Sequence, residues 1–471
     1  MLCGFACLGL ITVLLFFHVI RNPFNSNNIR RNPELFYLVS GSSLLFLITG
    51  LSGYQANFIQ LGLDQLLEAP SEYLGLFVHW VEWTTMLGFF LIKPIFFLLS
   101  ACKDAVPIHH TVLSLAPFFF AMLLLVLIFS CWKRHWFYSE PGQNNPYKMV
   151  FQVLNFTRKN KYPLQRSAFT YADDEEPTRI DFAKEKYGGP FKTEQVEDVK
   201  TFFRILAILL VLGPAFFLEI PLGPVFAIYT NHTGKYELTN NTGMPPECSW
   251  RPLLKDMAVL RSLASVLLFP IYIWLIYSVL RRCIPRTIIR IWVGEILLAS
   301  GMVAMFLIDL SGHVKHYRSH HQAAACMFVF NDHNHSFKLE LPWAVNLMPA
   351  LLMQAGITLV ITTTFEFISA QSPHSMKGLL IGMFYAIRGT FKFLGAISIL
   401  PFSVKAIWTS NYMKKHVPSV TNCGFGYFLL NLVVGFTGLV LFTVAARRYH
   451  YRERDDPPYN QTTVETVWAN Q

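Results

Sequence analysis

Several ionisable side chains sit inside long apolar runs of this chain: Glu82, Lys93, Glu219, Glu295, Asp309 and Glu366, with His18 and His79 as weaker cases. A charge in hydrocarbon is costly, and one that persists there serves a substrate, an ion or another polar group. Taken singly, each is more often a snorkelling group or an interhelical contact than a site. Lys93 and Asp309 are near enough to the ends of their runs to snorkel. Glu219 and Glu366 are harder to explain that way. Glu219 lies in Pro214-Ala-Phe-Phe-Leu-Glu219-Ile-Pro221, where prolines interrupt helical hydrogen bonding and a broken helix lines a cavity. Glu366 follows Thr362, Thr363 and Thr364 and precedes a polar turn containing Gln371, Pro373 and Lys377. It reaches a cavity if its helix runs on to about Gln371 and Pro373 ends it.

Other chemistries find little support. Residues 311–335 read as an outer loop rich in histidine, including His313 and His316, but no Cys or carboxylate frames a closed metal site. The sequence has no H-E-x-x-H, no G-x-S-x-G and no phosphate-binding G-x-x-x-x-G-K-[ST]. No metal, no enzymatic activity and no ATP-driven pump are expected.

The elements that must hold these groups are membrane helices. Hydrophobic residues make up 53% of the 471 and charged residues 14%, against about 25% charged in soluble domains. Mean hydropathy is +0.37. A helix needs about 20 apolar residues to cross a bilayer. Such runs lie near 2–20, 36–59, 74–101, 111–131, 201–222, 257–280, 288–310, 343–369, 376–401 and 424–446. The runs are continuously apolar, which excludes the period-two pattern of a membrane barrel. The fold expected is an all-α polytopic membrane protein of about ten spans.

The formal charge of +10 reflects basic loops on the cytosolic side, not nucleic-acid binding. Arg281, Arg282, Arg286 and Arg290 crowd one short connection, and Arg447, Arg448, Arg452 and Arg454 follow the last run. Placing these inside makes 132–200 a cytosolic loop. The acceptor sequons at Asn231, Asn240 and Asn334 then fall outside, as glycosylation requires, while Asn155 and Asn460 stay inside. Cys102, Cys248, Cys326 and Cys423 lie at or near the outer side, where one or two disulfides or free thiols remain open alternatives.

Three stretches carry a resemblance. The first is Gly50-Leu-Ser-Gly53-Tyr-Gln-Ala-Asn57, continuing to Gly62-Leu-Asp64-Gln65. The second is Phe365-Glu366-Phe367-Ile-Ser-Ala-Gln371-Ser-Pro373-His-Ser-Met376-Lys377. The third comprises Asn145-Pro146-Tyr-Lys148, Arg166-Ser-Ala-Phe-Thr170-Tyr171 and Lys186-Tyr-Gly-Gly-Pro190-Phe in the central loop. Together they resemble the proton-dependent oligopeptide transporter family, the solute carrier 15 group. The first is similar to its fourth-helix signature and the second to its tenth-helix signature.

The resemblance implies a fold of the major facilitator type. Residues 1–131 would be the remnant of the N-terminal bundle, carrying the family's helices three to six. Residues 132–200 would be a cytosolic loop, 201–446 a C-terminal six-helix bundle and 447–471 a cytosolic tail. Helices one and two, with the family's Glu-x-x-Glu-Arg motif, would lie outside this sequence. The activity implied is proton-coupled symport of di- or tripeptides or histidine-like amino acids across the plasma or an endolysosomal membrane, with protons as the coupling ion and no cofactor. The alternative is a non-transporting pseudo-transporter that acts as scaffold or regulator.

Glu366 is implied to receive the substrate ammonium, and Asn57 to line the site. Gly62, Asp64, Gln65, Gln371, Pro373, Met376 and Lys377 are the remaining motif residues. A zwitterion in a low-dielectric cavity also needs a cation for its carboxylate, for which Lys93 is the intramembrane candidate. Gln55 stands where the family has a lysine. Gln55 cannot titrate, so Glu219 becomes the proton-coupling candidate.

Overall fold

The computed structural model describes residues 33–66, 71–101, 108–132, 145–160, 162, 177–219, 257–275, 286–319, 347–373, 376–398, 424–449 and 451. The run at 2–20 with His18, the three outer sequons and the four outer cysteines lie outside the described residues, as do the side chains of Lys93 and Asp309. The described elements are helical apart from one isolated bridge between Lys184 and Phe191.

In chain order, α1 spans Pro33–Gln65, α2 Ser71–Ala101 and α3 Ile108–Trp132. The central segment contributes α4 (Pro146–Lys159) and two short 3-10 turns, Arg179–Ala183 and Glu185–Tyr187. Then come α5 (Thr193–Val211), α6 (Gly213–Phe217), α7 (Met257–Trp274), α8 (Thr287–Ser319), α9 (Leu347–Gln371), α10 (Lys377–Ile397) and α11 (Gly424–Arg448). Among the described residues, four helices combine membrane-spanning length with apolar composition: stretches of α8 and α11, and the whole of α9 and α10. Their outward faces carry Leu, Phe, Val and Ile in the open, as lipid contact requires.

Two readings of the runs need correction. The span expected at 201–222 begins earlier, at Thr193 inside the supposed loop, and is interrupted at Leu212, where Pro214 opens α6. Proline is tolerated in the first turn, where its missing N–H costs nothing, so the break falls ahead of Glu219. Second, α8 continues to Ser319, so His313 and His316 belong to a helix and not to a loop.

The tightest crossing joins α8 to α9. A Cβ on Gly356 would stand 2.8 Å from the Gly294 carbonyl oxygen, and one on Gly294 only 3.1 Å from the Gly356 carbonyl oxygen. Only glycine lets the two backbones touch there, the means by which membrane helices pack without a hydrophobic driving force. Elsewhere α2 packs on α7 and α9, and α1 on α10, so the N-terminal helices face the C-terminal ones directly.

One end of the bundle is tied by aromatic residues after α11. Tyr449 donates to Gln371 Oε1 (3.4 Å), the Ile288 backbone N–H donates to the Tyr451 hydroxyl (3.4 Å), and Arg286 lies over the Tyr451 ring. The start of α8 and the end of α9 are therefore tied to the residues that follow α11. The central segment has its own anchor. Asp181 accepts from Thr178 N–H (2.8 Å) and Thr178 Oγ1 (2.6 Å) and pairs with Lys184 and Lys200, while Glu197 pairs with the same two lysines.

Candidate functional site

Helix α9 runs to Gln371, with Pro373 just beyond, so Glu366 sits one turn inside the helix end. The three threonines before it are fully buried, and each bonds back to its own helix. Thr362 donates to the Thr358 carbonyl (2.9 Å), Thr363 to that of Leu359 (2.5 Å) and Thr364 to that of Val360 (2.6 Å). Their hydroxyls are spent on the backbone, which leaves Glu366 as the reactive group of this stretch.

Glu366 Oε1 accepts a short hydrogen bond from Arg290 Nη2, in the first turn of α8. Its other oxygen, Oε2, makes no hydrogen bond and lies 3.9 Å from His79 Nε2 on α2. His79 is completely buried, and its Nδ1 donates to the Gly75 carbonyl (2.6 Å). The imidazole stacks against Phe269 and Tyr272 of α7, with centroids 6.0 and 5.8 Å away. Four helices thus converge on one carboxylate.

Glu219, just past α6, anchors a second cluster. It receives a two-pronged bond from Arg388 on α10, Nε to Oε2 at 3.0 Å and Nη2 to Oε1 at 2.7 Å. Lys392, one turn further on, donates to Oε1 at 2.9 Å. Glu82 of α2 and Tyr385 of α10 lie within electrostatic reach of Arg388. His79 and Glu82 are three residues apart on α2, so one helical face presents a group to each cluster, about 4.5 Å apart along the axis. A planar guanidinium matching a carboxylate in a buried site is a strong, orienting pair. Both clusters are close to charge-balanced, as burial demands.

Beside the first cluster, Phe269, Tyr272, Gln354, Thr358 and Leu359 line part of an apolar cavity of about 150 Å³ between α7, α8 and α9. Glu295 of α8 is also buried, with Oε1 unbonded, against the α6–α11 contact.

The other motif residues have more local roles. Asn57 Nδ2 donates to the Gly53 carbonyl (2.8 Å) on its own helix and is exposed. Asp64 Oδ1 accepts from Gln60 (2.7 Å), and Gln65 is exposed at the end of α1. A Cβ on Gly62 would meet the Phe77 ring at 2.0 Å, so this glycine seats α1 against α2. Gln371 holds Tyr449, as above. Pro373, Met376 and Lys377 are buried in the turn that opens α10.

Sequence reading missed the cations. Besides Lys93, whose side chain lies outside the described residues, Arg388 and Lys392 stand in α10, on one face at i and i+4. Arg290, read as a loop residue, is 5% exposed. The signal for the α10 pair was present as two basic residues four apart in an otherwise apolar run.

Comparison with known proteins agrees with this geometry. The pattern of the POT family matches residues 115–414. The chain is 22% identical over 445 residues to solute carrier family 15 member 3 of Rattus norvegicus, covering 89% of this chain and 71% of that protein. The Mus musculus counterpart is 22% identical over 437 residues, with 88% and 70% covered. The fold is similar to the crystal structure of an auto-inhibited POT family peptide transporter, at a TM-score of 0.58 and 15% identity, over 97% of this chain and 84% of that one. An all-helical bundle with membrane-spanning helices, charge clusters between its helices and this pattern over well over half its length define a multi-pass integral membrane protein of the major facilitator type: the chain belongs to the POT family.

Proposed function

We propose that the chain is a secondary transporter that carries a small zwitterion, a di- or tripeptide or a histidine-like amino acid, together with protons. The observation that supports this reading most is the pair of partly buried charge clusters between the helices, joined by one face of α2. A zwitterion brings one charge of each sign, and the clusters offer partners for both. Glu366 receives the ammonium, and Arg290, Arg388 and Lys392 are the cations available to the carboxylate. Each of these charges is already paired within the chain, so substrate exchanges one set of ion pairs for another. Desolvation is thereby kept small. The apolar cavity beside Tyr272 suits a hydrophobic side chain.

The division into 1–131, 132–200, 201–446 and 447–471 belongs to this reading, as do glycans at Asn231, Asn240 and Asn334. The membrane is the plasma membrane or an endolysosomal one. Uptake of labelled dialanine into proteoliposomes tests the transport reading. Accumulation that depends on an inward proton gradient supports it. A second reading, a non-transporting scaffold or regulator, is favoured by Gln55 and by the internal pairing of both Glu219 and Glu366. Binding of dialanine without uptake or exchange would support that one.

A further inference from the structure

Helix α4 of the central segment is apolar on two faces, and its packing uses only one of them. The helix is capped at both ends. The Asn145 side chain accepts from the Tyr147 backbone N–H (3.0 Å), Pro146 opens the first turn, and the Asn160 backbone N–H donates to the Phe156 carbonyl. On the packed face, Val153 and Thr157 are buried, Met149, Val150 and Phe156 rest on the core, and the Phe156 ring meets Phe191 edge-on at 6.1 Å. On the other face, Tyr147, Phe151 and Leu154 follow at i, i+4 and i+7 and so form one stripe. Tyr147 is 64% exposed and Phe151 70%.

The charge beside this stripe has one sign. Arg158 continues it by a further turn, and Lys148 and Lys159 flank it; all three are exposed. No Asp or Glu lies in α4. Arg179 adds a cation where the helix ends, its Nη2 donating to the Arg158 carbonyl (3.5 Å). Basic residues in a last turn complement the helix dipole, which accounts for Arg158 and Lys159 but not for the aromatic rings set in the open beside them. The ion pairs that hold the central segment together draw on Lys184 and Lys200 instead.

We propose that α4 docks on the surface of an anionic lipid leaflet. Tyr147, Phe151 and Leu154 enter the boundary between headgroups and acyl chains, and Lys148, Arg158 and Lys159 meet the lipid phosphates and carboxylates. Apolar and aromatic anchors backed by Lys and Arg are what hold a helix in that plane, and cations next to a membrane span are drawn to the negative cytosolic surface. The long stems of the basic residues stay with the apolar stripe while their charges reach the headgroups. Helix α5 holds α4 at this level: the two pack together, and α5 leads from the central segment into the apolar run at 201–222. A lipid surface suits the stripe better than a segment of the chain itself. The acidic run 173–176 offers charge but no apolar group, and would leave the rings in water. The proposal rests on the cytosolic placement of 132–200 and is independent of transport.

Site-specific photo-crosslinking of the full chain in nanodiscs tests it. The probe p-benzoylphenylalanine is placed at Phe151, on the open stripe, or at Phe156, on the packed face. The discs hold phosphatidylcholine alone or equal parts of phosphatidylcholine and phosphatidylserine. Both leaflets of each disc are alike, so an error in the sidedness of the segment would not produce a failure here. After irradiation the probe at 151 should carry lipid. In the mixed discs it should capture phosphatidylserine at least about threefold more often than phosphatidylcholine. The probe at 156 should join protein to protein, near Phe191. Replacing the three cations together, by Lys148→Gln, Arg158→Gln and Lys159→Gln, should bring the two lipids to equal capture. An unchanged protein crosslink from position 156 would show that the segment still folds in that variant. Capture by the probe at 151 of a peptide of this chain, from 173–176 or from a second copy, would overturn the proposal. So would the absence of a lipid adduct in both kinds of disc, or equal capture of the two lipids by the chain with its cations intact.

Discussion

Glu366 and Glu219 are half-buried carboxylates with different partners, and their replacements should behave differently. On the proposed reading, replacing Glu366 by Gln removes the charge that would meet the substrate ammonium. Breaking a buried charge pair costs about 3–5 kcal/mol, which is a hundredfold or more in affinity. Competition binding should show that loss for free dipeptides, while N-acetylated peptides change little. At the second cluster the same principle is a matter of stability. Arg388 makes two of the three bonds to Glu219 and is 18% exposed in its side chain; Lys392 makes one and is 36% exposed. Arg388→Gln should therefore lower the thermal midpoint of the detergent-solubilised protein clearly more than Lys392→Gln. Equal effects would mean that the two-pronged bond is not the anchor. The carboxylates were legible in the sequence because acidic residues stand out in apolar runs. Arg290 was not, because at a helix start it reads as an ordinary positive loop residue. His79 was singled out only as a weaker case, since the groups around it come from other helices far away in sequence.

At the scale of elements, the α8–α9 crossing and the central segment make separable claims. Gly294→Leu or Gly356→Leu would force a side chain into a backbone. Overpacking of this kind typically costs about 1–3 kcal/mol or more, and here it should abolish a monodisperse protein in size-exclusion chromatography. Gly389→Ala, with nothing within 4 Å of an added Cβ, should leave the profile unchanged. In the central segment, burial alone would raise the pKa of Asp181, but hydrogen bonds from Lys184, Lys200 and Thr178 outweigh it and hold the carboxyl well below its usual range. Burial likewise opposes the charged form of Lys184, and its bonds to Asp181 and Glu197 reverse the effect and raise its pKa. The contribution of Asp181 is therefore complete above its unfolded pKa of about 3.9 and is lost as pH falls through the lower folded value. That of Lys184 is lost only as pH rises through a folded value above 10.5. Hydrogen exchange of amides in 178–200 should show protection that is level across neutral pH and falls only in strong acid. Early loss near pH 6 would contradict the assignment. The described helices agree with most of the apolar runs, since continuous hydrophobicity over 20 residues leaves little choice of structure. The exceptions are informative: the helical start at Thr193 and the extension to Ser319 are polar segments whose helicity comes from continuation of an adjoining helix.

For the whole molecule, the sequence motifs pointed to a family and a fold class, and both hold. How the chain brings distant charges together was not legible, because contacts between α2 and the C-terminal helices are set by packing in three dimensions. On the proposed reading, internal ion pairs between the helices are exchanged for those of a substrate carried with protons. The most direct test is uptake of labelled dialanine by the purified chain in proteoliposomes, with an inward proton gradient, without one, and with a protonophore. The account predicts accumulation above equilibrium with the gradient and its collapse with the protonophore. Equal uptake under all three conditions, or neither uptake nor counterflow under any of them, would contradict it.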